Sequence, residues 1–377
     1  MAEAALRVRA APAPLWPRLR SWSQSLDPAL LGATFALIAI GLVLSLAAGP
    51  VAAARIGIDN GLHFFERQVV FLVPALLTMA VLSTLPALTV RRLGVLAGAG
   101  ALLGMLAAIA IGPEIKGAHR WLDLGPISVQ PSEFMKPGFV VLAAWLLGEG
   151  ARDARFPGGG LSLGLYGLVS LVLLVQPDYG QWILLTAIWS VMFFIAGWSW
   201  AWIAGLGAGA GAALGTGYLI APHVRSRIDR FLSPDGGDTY QTDKALEAIS
   251  AGRALGHDAH GTDGVKQSLP DAHTDFVFAV AGEEFGFLLC ALILGLFALV
   301  AWRGFRFAAE TDSLFLRCAV AGLTAQLVFQ ALINIGVNLS VLPAKGMTLP
   351  FVSYGGSSLV ATGVTMGFLL ALTRRRA

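Results

Sequence analysis

The chain has 377 residues, 56% of them hydrophobic and only 13% charged, with a formal net charge of +3. So much apolar surface cannot be hidden around one soluble core, which excludes a water-soluble enzyme, a disordered chain and a nucleic-acid-binding module. The composition is that of an all-α polytopic membrane protein.

Residues 1–26 carry four arginines, three prolines and two tryptophans but no apolar h-region, so they read as a tail and not as a cleavable signal. About ten apolar runs follow, at 29–49, 69–88, 93–112, 131–148, 161–176, 180–197, 201–221, 276–302, 314–338 and 350–372. Each is read as a transmembrane helix, because a helix satisfies its own backbone hydrogen bonds in lipid. One transmembrane domain thus covers 27–373, with a short tail at 374–377. An even number of spans puts both termini on one side. With that side inside, the inner segments hold Arg7, Arg9, Arg18, Arg20, Arg91, Arg92, Arg152, Arg155, Arg303, Arg306, Arg317 and the arginines at 374–376. The short outer segments hold only Arg55, Arg67, Lys116, Arg120 and Lys345, which places both termini in the cytoplasm. Cys290 and Cys318 fall inside apolar runs and read as packing residues.

The segment 222–275, between the seventh and eighth spans, is the one long loop and faces outward. Within it, 239–252 spaces Ala245, Leu246, Ala248 and Ile249 for an amphipathic helix on the membrane surface.

Three clusters could carry chemistry. The first runs from Gly117 to Trp121 and on through Gln130 to Pro137. Pro131 suits a first helical position, and Glu133 and Lys136, three apart, share one helix face. A capped helix with a snorkelling lysine accounts for it, but ionisable groups at this depth are costly and give function a claim. The second is Leu269 to Phe276, with His273 and Asp275 at a membrane entrance. It reads as an acid–base pair, as half a weak metal site, or as a cap in which Thr274 or Asp275 takes the first N–H groups of the eighth span. On a continuous helix, Glu283 and Glu284 lie about 80° and 180° from Asp275, so they read as structural. The third holds Asn334, Asn338 and the stretch Leu342 to Ser358. Its Gly-Gly-Ser-Ser run opens a span, either to hold phosphate on backbone N–H groups or to let helices approach closely.

Taken together, GAHRW at 117–121, QPSEFMKP at 130–137, QPDYG at 176–180, LPDAHTDFVFAVAGEEFG at 269–286 and NIGVNLSVLPAKGMTLPFVSYGGSS at 334–358 resemble the SEDS family (shape, elongation, division and sporulation). The resemblance covers about 27–374, and the Lys-Gly-Met-Thr-Leu-Pro form at 345–350 is similar to the division branch more than to the elongation branch. The chain departs from the family at 256–264, where a Gly-rich stretch is replaced by a longer acidic one with two histidines.

The resemblance implies a peptidoglycan glycosyltransferase of the bacterial inner membrane, at the division septum, that polymerises lipid II into β-1,4-linked strands and releases undecaprenyl pyrophosphate. It implies Asp275 as catalytic carboxylate, with Glu133 and Lys136 lining the same cavity and Lys136 on the pyrophosphate or on Asp275. Arg120 is expected on phosphate and Trp121 on a sugar face or acyl chain. Lys266, His273, Thr274, Lys345, Ser353 and Ser357 are expected to contact substrate. Carboxylates near a pyrophosphate could recruit Mg²⁺ or Mn²⁺, though no compact ligand set is visible and no cofactor is certain. The implied partners are a class B penicillin-binding transpeptidase, other division proteins and membrane lipids, with no nucleic acid. A lipid II flippase and a non-catalytic division scaffold are the alternatives.

Overall fold

The computed structural model describes residues 15–115, 117–125, 127–220, 225, 229, 240–256, 269–343 and 346–374. A short helix α1 (Leu15–Ser25) leads to Asp27, whose carboxylate accepts the N–H groups of Ala29 and Leu30 at 3.0 Å each and so starts α2 (Pro28–Arg55). Burial alone would raise the Asp27 carboxyl. Its bonds to Arg303 and to those two N–H groups outweigh burial and hold it below the usual range. After α2 come α3 (His63–Ser83) and α4 (Ala87–Ile111), then a hairpin of β1 (Leu122–Asp123) and β2 (Ser128–Val129). The chain continues through α5 (Pro131–Arg152), α6 (Gly158–Val175), α7 (Tyr179–Ile195), α8 (Trp200–Ile220) and α9 (Tyr240–Ala251). It ends with α10 (Val277–Glu310), α11 (Leu314–Asn338) and α12 (Gly356–Leu372).

Each of the ten apolar runs falls on one of these helices. Among the described residues, α2 to α6, α10 and α11 are long and apolar enough to cross a membrane, and α7 and α12 are apolar but shorter. The fold is an all-α polytopic membrane bundle. Its last helix begins at Gly356 and not near 350, because Leu349 turns the chain first: its carbonyl accepts Val352 and Ser353 N–H, and its own N–H is held by Ser353 Oγ at 2.8 Å.

The most enclosed of the spans is α11, with 83% of its apolar window buried; it packs on α5, α7, α10 and α12. Side chains such as Val70, Leu96, Leu103 and Phe287 are more than 60% exposed and form the lipid-facing surface. Lipid is as apolar as leucine, so helices here associate by close fit. A Cβ on Gly138 of α5 would lie 2.5 Å from Gly98 N and 2.6 Å from Gly98 Cα on α4. On α12, a Cβ at Gly363 would lie 2.5 Å from Ala75 O of α3.

The helix α9 matches the expected 239–252 segment, but it docks on protein: Thr242, Ala245 and Ala248 are buried against α10 and α11. Opposite it, α10 is broken at Gly286, whose φ of 74° and ψ of −173° only glycine adopts readily. The N–H groups freed by the break, on Phe287 and Leu288, are taken by Arg253 O at 2.9 Å and Ala254 O at 3.2 Å.

Because Gly138 has no room for a side chain, Gly138→Ala should lower stability by about 1–3 kcal/mol through overpacking. The check is the thermal midpoint in detergent. Gly100→Ala, on the facing helix α4 but with nothing within 4 Å, serves as the neutral comparison.

Candidate active site

Proline at the first position of α5 fixes the helix start, and Gln130 before it is an N-cap whose side chain does not cap the helix but donates to Asp178 Oδ2 at 3.4 Å. Three residues of helix then bring Glu133 and Lys136 together, Nζ to Oε2 at 2.8 Å, as their spacing predicts. Both are almost fully buried, at 5% and 2% exposure, which is tolerable only if every remaining polar atom finds a partner. Gln181 of α7 donates to Glu133 Oε1 at 2.6 Å, and Ser358 of α12 donates to Oε2 at 3.1 Å. Lys136 donates a second bond to Gln330 Oε1 of α11 at 2.7 Å. Gln330 in turn donates to Thr348 O at 3.0 Å, and Thr348 and Ser358 share a hydroxyl bond of 2.7 Å.

Asp275 lies in the turn that precedes α10. Asp271, in the left-handed region at φ 52°, accepts the N–H groups of Thr274 and Asp275 on its carbonyl at 3.0 and 3.1 Å. Asp275 is half-buried, and its Oδ2 lies 3.6 Å from where a Cβ on Gly346 would stand. Its carbonyl accepts Asn334 Nδ2 at 2.8 Å and Asn338 Nδ2 at 2.9 Å. Asn334 also donates to Met347 O at 2.6 Å.

Two sequence expectations are corrected here. The N-cap of the eighth span is Phe276, not Thr274 or Asp275, and Ala279 N–H is shared between Phe276 O at 3.0 Å and Asn338 Oδ1 from α11 at 2.9 Å. Thr274 Oγ instead reaches Asp271 O at 3.2 Å. The helical angles from Asp275 to Glu283 and Glu284 do not apply either, because the helix begins at Val277, after Asp275. Glu283 is buried and Glu284 half-buried.

Arg120 does not stand open over a cavity. Its Nε donates to Gln176 O at 3.1 Å, another N–H to Pro177 O, and its guanidinium lies 3.8 Å from Asp178 Oδ1. It therefore straps the segment after α4 to the turn between α6 and α7. Gln176 closes the strap by donating to Met105 O and His119 O. Burial pushes the Asp178 carboxyl up, and the Arg120 charge pulls against that. Trp121 is half-buried beside Arg120. Ser353 Oγ serves the Leu349 turn, and Ser357 Oγ accepts Gln130 N–H at 3.4 Å. Gly356 packs close on Phe71, which favours the packing reading of that glycine run. Lys266, Lys345 and the unusual 257–264 stretch lie outside the described residues.

Sequence reasoning gave no role to Gln181, Gln330 or Asp178. The available signal was a lone amide or carboxyl in or beside an apolar run, which must find a partner. The described carboxylates do not suit a resident Mg²⁺ or Mn²⁺. Among the described residues no three His, Cys, Asp or Glu side chains gather, and both Glu133 oxygens are held by Lys136, Gln181 and Ser358.

His273 sits against Phe64, ring centroids 4.1 Å apart, and near Tyr354 at 5.5 Å, while its carbonyl accepts Tyr354 N–H. Burial lowers its imidazole from 6.5 to about 4, with Asp271 pulling the other way, so the ring is neutral at pH 7. A histidine held low contributes docking stability that is complete above pH 6.5 and is lost as pH falls through about 4. Hydrogen exchange at 271–279, corrected for its intrinsic rate, should therefore rise over that window, and His273→Leu should flatten the rise. An equal rise in the variant would clear the imidazole of responsibility.

The family model FtsW/RodA/SpoVE, described as "Cell cycle protein", matches residues 28–377. A protein of Caulobacter vibrioides named "Probable peptidoglycan glycosyltransferase FtsW" is 44% identical over 94% of this chain and 91% of its own. A protein of the same name from Halothiobacillus neapolitanus is 34% identical over 94% and 87%. Among solved structures, a chain described under "Structural coordination of polymerization and crosslinking by a peptidoglycan synthase complex" superposes with a TM-score of 0.77 at 31% identity, covering 93% of this chain and 98% of that one. The rod shape determining protein RodA of Thermus thermophilus gives a TM-score of 0.68 at 29% identity, covering 94% and 99%. The chain belongs to the FtsW/RodA/SpoVE family, and its sequence relatives place it with the FtsW branch.

Proposed function

We propose that this protein is a peptidoglycan glycosyltransferase of the bacterial inner membrane, which polymerises lipid II at the outer face during division. The observation that carries this reading is a single one. The buried Glu133–Lys136 pair and the Asp275 turn are tied to one helix, through Gln330 on one side and Asn334 and Asn338 on the other. All these groups lie toward one end of the bundle, near the starts of α5, α10 and α12 and the end of α11. The arginine distribution makes that end the outer one.

The reaction joins the 4-hydroxyl of an acceptor GlcNAc to the anomeric carbon of the growing strand's MurNAc. The donor linkage is α and the product β, so one inverting displacement suffices. Asp275, half-exposed at the start of an apolar helix, takes the proton from the attacking hydroxyl. The departing undecaprenyl pyrophosphate needs a cation. Lys136 spends two of its three N–H donors on Glu133 and Gln330, which leaves one to meet a phosphate oxygen. Glu133 holds the ammonium in place. Arg120, anchored on the α6–α7 turn, holds the segment carrying Trp121 near the same end.

The partner is a class B penicillin-binding transpeptidase that cross-links the emerging strands; the synthase complex among the structural relatives pairs polymerisation with crosslinking. The termini lie in the cytoplasm, and the protein works at the septum with other division proteins.

Polymerisation of purified lipid II with the cognate transpeptidase tests the reading. Asp275→Asn should lower strand formation by about 10²–10⁴-fold, the usual worth of a general base. Lys136→Met alone strands a buried carboxylate and endangers folding. The Glu133→Gln/Lys136→Met double variant removes both charges, and it should fold, bind the partner and make no strands. Near-normal strands from Asp275→Asn would end its assignment as base. Movement of lipid II across vesicles, with no strands from the wild type, would favour the flippase.

A further inference from the structure

Four amide side chains stand at four-residue intervals along α11: Gln326, Gln330, Asn334 and Asn338. Successive positions four apart advance only 40° around a helix, so the four form one stripe. All are buried, at 3% exposure or less, where an unpartnered amide is expensive. Their partners differ in kind. Gln326 donates to Thr365 of α12, a bond between two spans. The other three reach the candidate catalytic groups. Gln330 holds Lys136 Nζ and the Thr348 carbonyl. Asn334 bridges two separate segments by donating to both Asp275 O and Met347 O. Asn338 grips the Asp275 turn on both sides, donating to Asp275 O and accepting Ala279 N–H.

We infer that Gln330, Asn334 and Asn338 are positioning residues for the glycosyl transfer: as one rigid stripe on α11 they set the register between the Lys136 ammonium and the Asp275 carboxylate. The inference rests on the reading of Asp275 as base and deepens it. Three features support it. The N-cap of α10, Phe276, makes no side-chain bond, and Asn338 from another helix supplies a side-chain acceptor at Ala279 N–H, which Phe276 O shares. Gly346, beside the Asp275 carboxylate, adjoins Met347, which Asn334 holds. Finally, α11 is enclosed by α5, α7, α10 and α12, which leaves the stripe little freedom to rotate. None of the three amides needs to touch substrate. Their effect is on distance and aim, where about 1 Å of misplacement can cost about 10²-fold in rate.

The test uses the full chain with its transpeptidase partner and lipid II, comparing wild type, Asn334→Ala, Asn338→Asp and Asp275→Asn. Asn338→Asp has nearly the same size and keeps the acceptor for Ala279 N–H, but it cannot donate to the Asp275 carbonyl. Per folded, partner-bound enzyme, Asn334→Ala and Asn338→Asp should lower kcat by about 10–10²-fold while KM for lipid II stays within about twofold. Exchange at 271–279 should rise in both, with the remaining spans unchanged. A purely structural role would reduce the yield of folded protein and leave kcat per folded enzyme at the wild-type value, and that result would overturn the inference while Asp275→Asn stays inactive. Should Asn338→Asp fail to fold, Asn334→Ala decides alone, since Asn338 still caps α10 in it. An active Asp275→Asn would remove the base reading, and the inference would fall with it.

Discussion

Glu133 and Lys136 lie 2.8 Å apart with almost no exposed surface, and neither charge is tolerable there without further partners. Taking each ion out of water costs several kcal/mol, which the pair's own attraction offsets only when the remaining lone pairs and protons are bonded. The partners are Gln181 of α7, Gln330 of α11 and Ser358 of α12. Satisfying two charges on α5 thereby fixes three other helices around it. Apolar packing has no such direction, so the polar network is what specifies this end of the bundle.

Close approach determines where those charges stand. Within α5 the ion pair and Gly138 are less than two turns apart, and Gly138 is pressed on Gly98 of α4. Displacing α5 from α4 moves the ammonium as well. At α10 the break at Gly286 plays a related part. It hands the N–H groups of Phe287 and Leu288 to the carbonyls of Arg253 and Ala254, so the segment after α9 is bonded to the start of the second half-helix, across the break from Asp275.

Much of this was legible in the sequence, and the failures share one cause. Hydrophobic length dominates a membrane chain, so each of the ten apolar runs lies on a helix. The Glu133–Lys136 pair was legible because both residues lie on one helix at a spacing that fixes their contact. What could not be read was the identity of partners distant along the chain. Thr274 and Asp275 were plausible caps by position, but the side-chain acceptor used is Asn338, 59 residues away from Ala279. Arg120 looked available to a phosphate, yet its guanidinium meets carbonyls 56 and 57 residues on. The angles assigned to Glu283 and Glu284 assumed a helix running through Asp275, and the turn at Asp271 breaks that assumption. Gln181 and Gln330 announced only that they needed partners.

The Glu133–Lys136 pair differs from ion pairs at the end of the bundle bearing the tails. There, although Asp27 and Arg303 are more enclosed, Arg91 and Glu149 keep about a third of their side-chain surface exposed, and Arg306 and Glu310 more than half. Pairs of that kind are screened and worth little, and they leave their side chains free to rearrange. At the other end Glu133 and Lys136 are enclosed, and the amides of Gln181 and Gln330, which cannot titrate, bond to them. Such an arrangement costs more to build and tolerates less movement, which is what a transfer between two lipid-held sugars requires. The lipids confine the substrates to the membrane plane, so on the proposed mechanism what remains for the protein is to hold a carboxylate and an ammonium at fixed positions relative to that plane. The buried amides of α11, bonded to Lys136 and to the Asp275 carbonyl, suit that requirement better than exposed ion pairs would.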